Sequence, residues 1–122
     1  MPQTAPNLVN LAETFITTTE SIKFLQNDPQ ATLPTKGTVG SAAYNLYPTQ
    51  EEVVPPHSRK QVLTGLSCEF PPHLYGHITG QSGMSVKHSV DIVTRVLDSD
   101  YRGTIGVLLH NHSDQPYQLQ PT

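Results

Sequence analysis

Residues 95–103 read Arg-Val-Leu-Asp-Ser-Asp-Tyr-Arg-Gly. The apolar pair Val96-Leu97 runs into the carboxylate of Asp98. A second carboxylate (Asp100), a ring (Tyr101), a cation (Arg102) and a turn-forming glycine (Gly103) follow within five residues. The stretch is too polar for a core strand and too patterned for a linker. It reads as a short strand delivering a turn that can carry chemistry. A carboxylate beside a phosphate pocket can orient and deprotonate a water for attack on phosphorus. The plain alternative is a surface hairpin in which Asp98 or Asp100 hydrogen-bonds its own backbone.

Outward from this turn the chain keeps the same rhythm. Short apolar runs recur at residues 22–25, 53–54, 62–63, 74–78, 90–93, 96–97 and 105–109. Turn chemistry separates them at 27–29, 55–56, 71–72, 81–83 and 113–116. Strands at intervals of roughly 8–12 residues predict an all-β sandwich or closed barrel, and periodicity does not choose between the two. Eleven prolines and eight glycines in 122 residues argue against a helical bundle.

The N-terminus departs from the pattern. Leu8, Leu11, Ala12, Phe15 and Ile16 fall at i, i+3, i+4, i+7 and i+8, a helical stripe that the β-branched run Thr17-Thr18-Thr19 ends. Residues 1–20 are therefore expected to be an appended arm, helical or disordered, ahead of a β domain over residues 21–122.

Composition bounds the partners. A 122-residue chain with 35% hydrophobic content has one domain's worth of core and little apolar surface to spare, so oligomerisation is a natural way to complete it. Net charge is −3 with seven basic residues, which does not suit a nucleic-acid surface, although a nucleotide pocket needs only a few local cations. No stretch approaches the roughly 18 apolar residues of a membrane span, and no basic region precedes an apolar run at the N-terminus. The single cysteine, Cys68, excludes a disulfide framework within the chain and suits a reducing, intracellular compartment.

Two further segments hold candidate site residues. Residues 37–46, Gly-Thr-Val-Gly-Ser-Ala-Ala-Tyr-Asn-Leu, read as a tight loop entering a strand. Residues 81–83, Gln-Ser-Gly, offer backbone N–H groups and a hydroxyl that can cradle a phosphate, although polar turns of this kind are common. His110 and His112 stand two apart on a strand, a spacing met more often on a solvent face than in a metal pair. Cys68 beside Glu69 reads as a small buried side chain.

Taken in order, these segments resemble motifs 1, 2 and 3 of the trimeric dUTP pyrophosphatases (dUTPases). The linking runs Pro56-His57-Ser58-Arg59, Thr64-Gly65-Leu66 and Pro71 to Gly76 match as well, so that the resemblance covers about residues 22–120. It implies a jelly-roll-like, distorted β-barrel that assembles as a homotrimer with sites between subunits. It also implies Mg²⁺-assisted hydrolysis of dUTP to dUMP and pyrophosphate. Carried over residue by residue, Asp98 matches the water-positioning carboxylate and Tyr101 the ring that packs on deoxyribose. Ser82 and Gly83 match the motif 2 phosphate contacts.

Other positions depart from the family. Asn45 stands where an aspartate usually contacts the waters around the metal, which leaves at best a weakened, water-mediated role with Mg²⁺. Gln81 replaces an arginine, exchanging a charged fork for a neutral amide at the phosphates. Ser89, Val93, Thr94 and Arg95 occupy the uracil-binding hairpin, where the family has small or glycine residues. Arg95 can project into the base pocket or pair outward with Glu69 or Asp100. The family continues through motif 4 to a glycine-rich motif 5, and neither precedes Thr122, so a C-terminally truncated barrel is expected. These departures predict impaired or lost activity on a deoxyuridine nucleotide. The alternative they leave is an inactive barrel that serves as a nucleotide-binding or protein-interaction module.

Overall fold

A computed structural model describes residues 3–5, 9–13, 22–35, 43–80 and 82–121. Among them twelve short strands and one helical segment wrap a single apolar cluster. In chain order the strands are β1 (Gln3–Ala5), β2 (Val9–Glu13), β3 (Lys23–Gln26), β4 (Ala43–Leu46), β5 (Glu52–Val54), β6 (Ser58–Leu63) and β7 (Leu66–Glu69). There follow β8 (Gly76–Thr79), helix α1 (Ser82–His88), β9 (Val90–Ile92), β10 (Arg95–Leu97), β11 (Gly106–Asn111) and β12 (Tyr117–Leu119). They form four sheets, ordered β1-β12-β5, β10-β8-β2-β4, β6-β11-β9 and β3-β7. The all-β expectation holds. No helix among the described residues is long and apolar enough to cross a membrane.

Alternation decides which faces turn inward. Along β11 the side chains of Val107, Leu109 and Asn111 are buried while Leu108 and His110 are only partly so, the period of two that a half-buried strand requires. Its antiparallel register against β6 runs from Gly106↔Leu63 to Asn111↔Ser58, and β9 joins its other edge at Leu109↔Ile92. Leu46, Val54, Leu66, Ile78, Leu97, Ile105, Leu109, Tyr117 and Leu119 are the largest fully enclosed side chains. Each contributes about 1.5–3 kcal/mol by leaving water.

Gly65, between β6 and β7, is required twice over. Its φ of +70° lies in the left-handed region, and a Cβ there would stand 2.7 Å from Thr49 Cγ2 and 2.9 Å from the Cβ atoms of Asp28 and Ala31. The facing turn closes on it. Asn27 N donates to Gly65 O at 2.8 Å, and the Asp28 carboxylate accepts from Gln30 N at 2.8 Å.

The chain differs from the sequence reading in three places. In the arm expected to be helical or disordered, Gln3–Ala5 is a strand parallel to β12 and Val9–Glu13 a strand antiparallel to both β4 and β8. Val9, Asn10 and Leu11 also alternate with period two, and β4 and β8 present free edges on either side of this strand, so pairing outweighs the helical stripe. Leu8, Phe15 and Ile16, the rest of that stripe, lie outside the described residues. Ser82 and Gly83, expected in a turn, open helix α1. Met84 is buried and His88 half-buried on one face of it while residues 85–87 are exposed. Strands β7 and β12, each preceded by turn residues, also form where no separate run was marked.

Candidate active site

The residues 98–103 turn hangs from β10, an edge strand paired to β8 at Arg95↔Ile78, Val96↔His77 and Leu97↔Gly76. Leu97 is enclosed, which anchors the strand and leaves Asp98 exposed just beyond it. Tyr101 N donates to Asp98 O at 3.0 Å and closes the turn. Arg102 Nη1 donates to Ser99 O at 2.8 Å and to Tyr101 O at 3.3 Å, so this guanidinium braces its own loop. The Tyr101 hydroxyl donates to Thr104 O at 3.0 Å. Its ring lies so close over Gly103 that a Cβ there would meet the hydroxyl at 2.6 Å, which accounts for the glycine without any special φ.

A cavity of about 310 Å³ opens beside this turn. Val93, Thr94 and Arg95 form one wall, Gly106 and Leu108 of β11 the floor, and Gln61 of β6 the far side. Gly106 is again a close approach, because a Cβ would overlap the Gln61 amide. Arg95 lies along this cavity. Its Nη1 donates to Gly106 O at 3.3 Å and its Cζ stands 4.8 Å from the centre of the Tyr101 ring, within cation–π range. Among the described residues no ion pair joins Arg95 to Glu69 or Asp100.

The predicted residues thus come together unevenly. Val93 and Arg95 line one cavity, and Tyr101 packs against Arg95 with Asp98 opening the same turn. Ser82 and Gly83 begin α1, which leads directly through Ser89 (φ 56°) into β9. Gln81 lies outside the described residues. Asn45 sits on β4, whose backbone N and O pair with Thr35 at 2.6 and 3.3 Å. β4 and β10 are opposite edges of one four-stranded sheet, and the register sets Asn45 level with Thr94, so Asn45 is three strands across from β10 and four residues along it from Asp98. Gln61 and Gly106 had no signal in the sequence. They reach the cavity only through the pairing of β6 with β11, where Gln61 opposes Leu108.

Mg²⁺ requires hard oxygen donors, preferably carboxylates. Asn45 supplies one neutral amide oxygen, and among the described residues no three histidine, cysteine, aspartate or glutamate side chains converge in a way that could hold a metal. This donor set does not fit a protein-held Mg²⁺.

Away from the cavity, His110 and His112 stand with ring centres 3.9 Å apart on the solvent side of β11. His112 Nε2 pairs with Asp91 Oδ2 at 2.9 Å, and Arg59 Nε donates to His110 Nδ1 at 3.5 Å. Partial desolvation, then His112 and Arg59, lower the His110 pKa below the usual imidazole value, against the pull of Asp91. Burial pushes the Cys68 thiol up to about 11, with Arg102 opposing, so it is held as an unreactive thiol.

The comparisons agree with this architecture. The dUTPase family profile matches residues 29–121. A deoxyuridine 5′-triphosphate nucleotidohydrolase of avian adenovirus 8 is 42% identical over 97 residues, covering 80% of this chain and 60% of that protein. A probable deoxyuridine 5′-triphosphate nucleotidohydrolase of Schizosaccharomyces pombe is 42% identical over 91 residues, covering 75% of this chain and 65% of that one. The chain thus spans about six-tenths of the length of such relatives. Among solved structures, a mutant dUTPase from phage phi11 of S. aureus, described with a structural Mg(II) ion, superposes with a TM-score of 0.76 at 18% identity over 83% of each chain. A motif series in the right order and a shared fold meet in one chain with a family profile that covers most of its length, and the chain belongs to the dUTPase family.

Proposed function

We propose that this chain binds a deoxyuridine nucleotide at the cavity beside β10, as a dUTPase-family domain whose hydrolysis of dUTP is impaired. In this reading the base enters between residues 93–95 and the β11 floor, and the deoxyribose packs on Tyr101. Asp98, exposed at the mouth of the turn, orients a water and accepts its proton as the water attacks phosphorus. Pyrophosphate leaves and dUMP remains. Ser82 and Gly83 contribute phosphate contacts at the start of α1. Mg²⁺ arrives on the triphosphate rather than on the protein.

What supports the impairment is that Arg95 lines the cavity proposed for the base and stands 4.8 Å from the Tyr101 ring. Gln81 in place of a cation adds to it, since loss of a charged contact to a transferring phosphoryl group costs on the order of 10²-fold in rate. The opposite-edge positions of Asn45 and Asp98 favour sites shared between subunits of a homotrimer. No partner nucleic acid or membrane enters this reading.

Calorimetric titration with a non-hydrolysable dUTP analogue and Mg²⁺, against dTTP and UTP, tests it. Binding of the dUTP analogue together with pyrophosphate release that is slow and abolished by Asp98→Asn supports the proposal. Binding of no nucleotide, or turnover indifferent to Asp98, overturns it.

A further inference from the structure

We propose that Arg95 is an internal occupant of the ligand contacts at this cavity, the Gly106 carbonyl and the Tyr101 face, and the residue that sets its selectivity. It lines the cavity and holds both contacts, so the protein in its present form discriminates poorly between nucleobases. The inference rests on the nucleotide reading above. Three observations converge on it. Arg95 lies on β10 with its backbone fixed opposite Ile78, yet its side chain turns along the cavity and not toward Asp100 or Glu69. Its guanidinium is tied at both ends of that path, by Gly106 O at 3.3 Å and by the Tyr101 ring at 4.8 Å. Val93 and Leu108 add apolar lining to the same cavity, so a planar ligand that uses the Tyr101 ring and the Gly106 carbonyl meets a guanidinium already bound to both.

A ligand that uses the ring and the floor must therefore displace a side chain already bound to both. Its apparent affinity falls by the fraction of molecules in which Arg95 has swung out. A guanidinium also uses its fork indiscriminately. Of its five N–H donors, one is spent on Gly106 among the described residues, and the others can meet the carbonyl oxygens of any pyrimidine. Phosphate contacts then dominate what binds, and the base contributes little.

Two measurements test this. In the ligand-free protein, the δ-methylene protons of Arg95 should show an upfield ring-current shift in the NMR spectrum, removed by Tyr101→Leu. Absence of that shift overturns the proposal without touching the nucleotide reading. Deoxyuridine monophosphate is then titrated into wild type, Arg95→Gly and Arg95→Met, with thymidine monophosphate as control. A gain of about tenfold in Arg95→Gly, the scale of one cation–π contact and one hydrogen bond, is expected, together with recovered preference for uracil. Met keeps the unbranched stem but not the guanidinium, so it gains if the tether is what excludes ligand and stays near wild type if the bulk of the stem does. Either pattern supports the occupant, and Met also serves if the glycine variant does not fold. Wild type already selective for deoxyuridine overturns the occupant and upholds the nucleotide reading. A clear ring-current shift with no gain in either variant overturns the exclusion, and if no form binds any nucleotide the reading it rests on falls with it.

Discussion

In the β6-β11-β9 sheet the central strand takes its partners from within the stretch that carries the family motifs. In β10-β8-β2-β4 the strand lying between β4 and β8 comes from the first residues of the chain. The first sheet has six register pairs between β6 and β11 and alternating burial along β11. The second brings Asn45, on β4, and Arg95, on β10, into one layer only because β2 spans the gap, with Asn10 registered opposite both Asn45 and Thr79. A sheet made of neighbouring motifs is specified locally. One bridged from afar depends on a segment that looks, in isolation, like something else.

The sharpest way to break that contrast is to remove one ladder N–H from each central strand. Leu11→Pro in β2 and His110→Pro in β11 should each cost up to about 3 kcal/mol, because each residue is registered against a strand on both sides and proline leaves the facing carbonyl unpaired. Urea unfolding midpoints give the comparison. Leu11→Pro costing under about 1 kcal/mol would mean that β2 is dispensable and that β4 and β8 hold without it.

How much of this was legible follows from where the information sits. The β6 and β11 strands alternate along their own length, and the motif 3 turn carries its side chains in order, so both could be read from neighbouring residues. β2 could not, because Leu8, Leu11 and Ala12 satisfy a helical period as well as Val9 and Leu11 satisfy a strand, and only free edges far along the chain decide between them. α1 was hidden by its polar opening, and among its described side chains only Met84 and His88 turn inward. Within the site, the identity of Arg95 was plain, but its rotamer was not. Turning inward depends on the Tyr101 face and a Gly106 carbonyl presented by another strand.

A smaller effect separates the two ends of β11. Gly106 opens the cavity floor, whereas Asn111 closes the strand as a buried polar hub. Asn111 Nδ2 donates to Val54 O at 3.0 Å and Gln115 O at 2.7 Å, and its Oδ1 accepts from Ser113 N at 2.9 Å. Asn111→Ala strands those partners and should cost about 1–3 kcal/mol, visible as a lower thermal midpoint. Arg95→Met, at the cavity end, should leave that midpoint nearly unchanged. Equal losses at both positions would show that the cavity wall supports the fold as much as the hub does.

The smallest expected effect concerns Tyr117, which lies across from Val54 in β12 and is fully enclosed with its hydroxyl unpartnered among the described residues. Burial raises its pKa to about 12 from the ordinary 10. The folded protein therefore resists ionising it, and the sign follows. Below pH 10 the group is neutral in both states and pH has no leverage through it. Between about 10 and 12 the unfolded chain releases the proton first, so stability is lost as pH rises. Tyr117→Phe removes that loss and also removes a buried hydroxyl that gains nothing from burial, so its stability near neutral pH should match or exceed wild type by up to about 1 kcal/mol. Unfolding followed by circular dichroism at neutral and alkaline pH reads both effects. If Tyr117→Phe instead destabilises at neutral pH, the hydroxyl has a partner, such as a bridging water shared with the equally unpartnered His88 Nδ1 whose ring stands 5.4 Å away, and the end of β12 is sealed by a polar contact, as β11 is by Asn111.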